Sequence, residues 1–220
     1  MDMQNKEPGD RALASERAYQ YLRECIYSGR FKPGQIVTED EVASVVGVSR
    51  TPVREAIRRA SADGFLDLEG FRRARVSNFT DEDTRDIFEI RAVLEALAAE
   101  RAARHITAEE IAQLEKLTDA LEAATRAGGD DLFREFADFN NQFHKVVLNA
   151  SRSRQIVQVL EHLIEIPLML HKRFEGTLIG NLERTIRHHR ALITALKAKD
   201  SKWAHAEMTA HLMSARSSLL

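Results

Sequence analysis

Residues 46–57, VGVSRTPVREAI, gather Ser49, Arg50, Thr51 and Arg54 around Pro52, and the apolar residues that follow recur at helical spacing. Proline costs about 3 kcal/mol in a helix interior but is harmless in the first turn, where its missing N–H has no partner to lose, so Pro52 marks a helix N-terminus. Val53 and Ile57 then take the inward face, leaving Arg50, Thr51, Arg54 and Arg58 on or near the outward one. A helix entering the major groove of DNA by its N-terminus uses these groups. Arginine bridges guanine O6 and N7, while hydroxyls and free helix N–H groups hold phosphates. The plainer alternative is a capped surface helix whose arginines pair with Glu55. Cations near a helix N-terminus oppose the macrodipole, so stability alone does not select them there.

A second grouping lies further along the chain. Of eight histidines, three sit on apolar stripes. His144 falls one turn after Asn140 and one before Leu148; His189 is flanked by Leu182, Ile186, Ile193 and Leu196; His211 follows Ala204 and Met208 on one face. One inward histidine is ordinarily a hydrogen-bonded core residue. Three from separate helices, with Asn140 stacked a turn before the first, can converge on a divalent metal through their imidazole nitrogens. His105, His162, His171 and His205 lack that setting, and His188 points about 100° away from its neighbour.

The elements that must position these groups read as follows. Leu13–Ser28 is an amphipathic helix through Ala18, Tyr19, Leu22, Cys25 and Ile26, ended by Gly29. Pro33-Gly34 makes a turn before the apolar pair Ile36-Val37, and Thr38 caps a short helix starting at Glu39 whose Val42 and Val45 point inward. Gly47 allows the turn into a helix running from about Arg50 to Ala62, which gives the spacing of a helix-turn-helix. After Asp63-Gly64, the stretch FLDLEGFRRARVSNF alternates as two short strands joined at Glu69-Gly70-Phe71, with Arg72, Arg73 and Arg75 just past the tip. Such a wing lies against a phosphate backbone or reaches into a minor groove. From Thr80 onward the pattern is helical throughout, with breaks near Ile106-Thr107, Gly128-Gly129, Asn149–Ser153 and Phe174–Asn181. The expected organisation is a loose tail over residues 1–12, a DNA-binding head over 13–79 and an all-helical body over 80–220.

Composition agrees with this division. A length of 220 residues suits two modest domains, and 44% hydrophobic with 30% charged residues excludes a disordered or fibrous chain. The single cysteine, Cys25, can form no internal disulfide and fits a reducing cytoplasm. The N-terminus has no apolar core of a signal peptide, and no run approaches the roughly 18 apolar residues of a membrane span, so neither export nor a membrane partner is expected.

The stretch YLRECIYSGRFKPGQIVTEDEVASVVGVSRTPVREAIRRASADGFLDL resembles the winged helix-turn-helix of the GntR superfamily of transcription regulators, the likeness covering nearly all of residues 13–79. That resemblance implies that Ser49, Arg50, Thr51 and Arg54 contact operator DNA. Residues 80–220 resemble the FadR-type helical ligand domain known as FCD, through FEIRAVLEALAAERAA, FNNQFHKVVLNAS and HHRALITALKAKDSKWAHAEMTAHL. The metal-binding members imply Asn140, His144, His189 and His211 as ligands of a divalent ion such as zinc, nickel or manganese. Here asparagine stands where aspartate is commoner, which removes a negative charge from the set. The resemblance also implies a small organic acid as effector, with Arg91 pairing with its carboxylate; the alternative for Arg91 is a surface i,i+4 pair with Glu95. The expected fold is mainly α, a winged head of three helices and a small β-hairpin followed by a helical bundle. The expected function is a homodimeric, ligand-responsive repressor of a palindromic operator, not an enzyme. A metal-dependent enzyme acting on a small acid and a direct metal sensor remain as alternatives.

Overall fold

Short-range signals set most of the element boundaries in the N-terminal unit, Met1–Phe79. The computed structural model describes residues 8–70, 73–129, 131–163 and 178–217. Helix α1 spans Pro8–Tyr27 and therefore starts within the stretch read as a loose tail. Proline and an early acidic residue, Asp10, are both suited to a first helical turn. Strand β1 (Ile36–Thr38) leads into α2 (Glu39–Val46), and Thr38 caps that helix by accepting a hydrogen bond from the Glu41 N–H. Gly47 closes α2 in the left-handed region, at φ 71°, a conformation that glycine adopts without steric cost. Helix α3 (Arg50–Ala62) buries Pro52, Val53, Ala56, Ile57 and Ala60, and α1 packs across it.

The hairpin is β2 (Leu66–Glu69) and β3 (Arg73–Val76). The apolar pair Ile36-Val37 belongs to a third strand, so the sheet has the order β1-β3-β2, antiparallel throughout, with Val37 opposite Ala74 and Leu66 opposite Val76. A strand of three residues is too short for periodicity to reveal it. Val45 also departs from its expected inward position: it is exposed, because this eight-residue helix buries only Glu39 and Val42 in full.

The second unit, Thr80–Leu220, is helical. Thr80 opens α4 (Asp81–His105) with a capping box, its hydroxyl accepting from the Asp83 N–H while Asp83 accepts from the Thr80 N–H. Thr107 repeats the device for α5 (Ala108–Ala127). Helices α6 (Leu132–Ala150), α7 (Arg154–Leu163), α8 (Leu178–Lys197) and α9 (Ser201–Arg216) follow. Part of the expected break at 174–181 lies outside the described residues, and α8 is already helical at Leu178. Helix α4 packs chiefly along α9 and also against α6. Its contact stripe carries Ala92, Ala96, Ala99 and Ala103, small side chains that allow close approach, interrupted by the buried pair Arg91 and Glu95.

Candidate nucleic-acid interface and candidate metal centre

At the N-terminus of α3, Ser49 occupies the cap position but its hydroxyl makes no capping hydrogen bond. Ser49, Arg50 and Thr51 are exposed, as are Arg58 and Arg73. The two arginines nearest the helix start are held by acidic residues of α2 rather than by Glu55. Arg50 Nε lies 2.5 Å from Asp40 Oδ1, a pair open to solvent. Arg54 donates from Nε and Nη2 to the two carboxylate oxygens of Glu39, at 2.7 and 2.9 Å. Glu39 is only 3% exposed, whereas the Arg54 side chain is 41% exposed. This fork fixes the guanidinium plane against α2, with Nη1 outside the pair. Glu55 meets Arg11 of α1 instead.

A cleft of about 220 Å³ lies between α3 and the hairpin, lined by Glu39, Arg54, Ile57, Arg58, Leu68, Gly70 and Arg73. Arg72 lies outside the described residues. Arg75 is half-exposed and donates to Glu69 Oε1 at 2.6 Å and to the Gly34 carbonyl at 2.5 Å, so it braces the hairpin.

In the helical unit, α6 carries Asn140 and His144, α8 carries His189 and α9 carries His211. The three histidines are buried, and one ring nitrogen from each lies within 4.8 Å of the others. His144 Nε2 and His211 Nε2 are 3.2 Å apart. Among the described residues, several buried polar atoms of this set have no hydrogen-bond partner: Asn140 Oδ1, His211 Nδ1 and both ring nitrogens of His189. Buried polar atoms are ordinarily satisfied, and leaving one unsatisfied costs about 1–3 kcal/mol. Imidazole nitrogens and an amide oxygen are competent donors to a divalent ion, so these residues fit a metal.

Each imidazole is oriented by a different device. His189 stacks on Phe143, with 3.7 Å between ring centroids and 2° between planes. His211 sits 5.1 Å from His144, centroid to centroid. His144 Nδ1 meets Glu95 Oε2 at 2.5 Å, and Arg91 Nε donates to Glu95 Oε1 at 2.7 Å. The i,i+4 pair of Arg91 and Glu95 therefore forms, but inside the bundle and not on its surface.

The electrostatics follow from burial. Desolvation pushes the Glu95 carboxyl upward, but Arg91 and His144 outweigh it by charge and hydrogen bonding and hold the pKa at about 2. Burial pushes His189 and His211 well below 6.5, and the neighbouring histidines add to the shift. Both are therefore neutral with lone pairs available near neutral pH, the form a metal ligand needs.

In the sequence Glu95 stands out only as an i,i+4 partner of Arg91, and Phe143 not at all. The available signal for Glu95 was its place on the stripe Ile87, Phe88, Arg91, Ala92, Glu95, Ala96, where a charged pair interrupts an apolar face. Glu39 had no such signal, since acidic residues are usual in a first helical turn.

A winged helix-turn-helix joined to a helical unit with a convergent histidine cluster defines a class of DNA-binding regulators. The model of bacterial regulatory proteins of the gntR family matches residues 14–76, and that of the FCD domain matches residues 86–214. The chain belongs to the GntR family of transcriptional regulators, in the group that carries an FCD domain, and is not an enzyme. It is 31% identical over 193 residues to the uncharacterized HTH-type transcriptional regulator YdhC of Bacillus subtilis, covering 88% of this chain and 85% of that one. A probable D-xylose utilization operon transcriptional repressor of Paenarthrobacter nicotinovorans is 31% identical, over 85% of this chain and 80% of its own. Among solved structures, Escherichia coli McbR/YncC shares the fold with a TM-score of 0.76 at 23% identity, covering 91% of this chain and 93% of that one. No described helix is long and apolar enough to cross a membrane.

Proposed function

We propose that this regulator is a cytoplasmic repressor that binds a palindromic operator as a homodimer. It responds to a small organic acid bound at a divalent metal held by Asn140, His144, His189 and His211. The observation that carries the metal reading is the set of buried atoms on Asn140, His189 and His211 that have no partner among the described residues. A bound zinc, nickel or manganese ion supplies a Lewis-acidic anchor for a carboxylate. Arg91 commits Nε to Glu95, so an effector carboxylate meets its remaining guanidinium N–H groups. Repression is supported by relatives that are named as operon repressors.

Operator contact is assigned to Ser49, Arg50, Thr51, Arg54, Arg58, Arg72 and Arg73. The exposed hydroxyls and arginines at the start of α3, beside an arginine-lined cleft, are what support it. The dimer rests on α4, where Ile90 is 47% and Val93 68% exposed, one turn or less before the half-buried Leu94 and Leu97. An effector changes operator affinity only to the extent that it favours one arrangement of the two heads.

The deciding experiment is a thermal-shift screen of small organic acids against protein loaded with zinc, nickel or manganese and against chelator-treated protein. An acid that raises the melting temperature only with metal present, and releases operator DNA in a retardation gel, is the expected result. Equal stabilisation without metal would remove the anchor role. Metal content that survives in both His144→Ala and His189→Ala would remove the assigned ligands.

A further inference from the structure

We infer that Glu95 is a positioning residue for the metal centre: it fixes His144 as the Nδ1–H tautomer and so presents Nε2 to the ion. The inference rests on the metal reading above and adds a residue outside the ligand set. Glu95 has both carboxylate oxygens engaged, Oε1 by Arg91 Nε at 2.7 Å and Oε2 by His144 Nδ1 at 2.5 Å. Arg91 is always a donor, and a carboxylate beside its guanidinium accepts only. The proton in the His144 contact therefore belongs to Nδ1, and in the neutral ring, the form that ligates a metal, the lone pair is on Nε2. That atom is the one 3.2 Å from His211 Nε2, on the side where the histidines converge. Glu95, Arg91 and His144 are all buried, so these bonds form away from bulk solvent. Metal-ligating histidines commonly give their second ring N–H to a carboxylate, which orients the ring and raises its basicity.

The asymmetry between the histidines sharpens the assignment. His189 is oriented by ring contacts, with Phe143, His144 and His211, and among the described residues both its nitrogens are without hydrogen bonds. His211 Nδ1 is likewise unpartnered among them. His144 is thus the only one of the three whose second nitrogen meets a carboxylate among the described residues.

Glu95→Gln separates this role from packing, because the shape is conserved while the bonding reverses. The amide oxygen is needed by Arg91 Nε, so the amide NH₂ turns to His144 Nδ1. Nδ1 must then accept, and the proton moves to Nε2, the atom required by the metal. Two measurements follow on the full-length protein. Nitrogen-15 imidazole spectra of the metal-free protein show His144 protonated at Nδ1 in the wild type and in Glu95→Asp, which keeps an accepting carboxylate, and at Nε2 in Glu95→Gln. Competition of zinc with a chromophoric chelator shows roughly 10- to 100-fold weaker binding by Glu95→Gln, with Glu95→Asp recovering part of it. Melting temperatures accompany both variants, and the Asp variant carries the test if the Gln variant does not fold. A wild-type His144 protonated at Nε2, or a folded Glu95→Gln with wild-type zinc affinity, overturns the inference. Wild-type protein that takes up no zinc, nickel or manganese fails the metal reading itself and removes the affinity role of Glu95 with it.

Discussion

At the residue scale, the two arginines at the start of α3 differ in what their removal does. Arg54→Ala strips two charge-assisted hydrogen bonds from the buried carboxylate of Glu39, so it lowers stability as well as operator affinity. Arg50 pairs with an exposed Asp40, and surface pairs contribute little to stability. Arg50→Ala is therefore the cleaner probe. Its unfolding free energy stays within about 0.5 kcal/mol of wild type, while a lost base contact weakens operator binding by about 1–3 kcal/mol. Denaturant titration and a retardation gel read the two quantities separately, and unchanged retardation would sink the assignment of Arg50.

The buried titratable groups set a pH dependence for the metal-free protein. His189 and His211 have native pKa values well below 6.5, so as pH falls through about 6.5 the unfolded chain takes up protons that the native one does not. Their contribution to stability is complete above that value and is lost progressively below it. Glu95, at about 2 in the native state against 4.5 as its reference, adds a second loss as pH falls from 4.5 toward 2. Melting temperatures in chelator, recorded from about pH 8 to about pH 4, fall as the solution is acidified. A flat profile from about pH 7 to pH 5 contradicts neutral buried imidazoles.

At the scale of elements, the turn between α2 and α3 depends on one backbone conformation. Gly47 has φ 71° and open space where a Cβ would stand, so a side chain there meets backbone strain and no steric clash with neighbours. Gly47→Ala costs about 1–2 kcal/mol, the usual penalty for an L-residue in the left-handed region. Gly47→Asn costs less, because asparagine tolerates that region. Thermal melts of the two variants, compared with wild type, check the order. The same turn sets the angle at which Ser49, Arg50 and Thr51 are presented, which ties a local dihedral to the proposed operator contact.

At the scale of the whole molecule, a palindromic operator needs two heads, so the proposed function depends on an interface between copies. The exposed Ile90 and Val93 of α4 suit that role, since apolar side chains clustered on a surface mark contact sites. Val93→Glu places a charge at the centre of that face and converts a dimer to a monomer in light scattering coupled to size exclusion, with operator affinity falling in parallel. A wild-type monomer, or a mutant that remains dimeric, rejects α4 as the interface.

The sequence by itself determined what depends on residues within about four positions of each other: the caps at Thr38 and Thr80, the glycine turn at Gly47, the helix start around Pro52, and the inward faces bearing His144, His189 and His211. These follow from local dihedral preferences and hydrogen bonds that the chain satisfies within itself. Tertiary structure decided the partners across elements. Glu95 meets His144 across 49 positions, Arg54 turns to Glu39, β1 joins the hairpin, and Val45 faces outward on a helix too short to bury it. A side chain's partner across the fold is set by how helices and strands pack, and spacing along one element carries no record of what lies on the next.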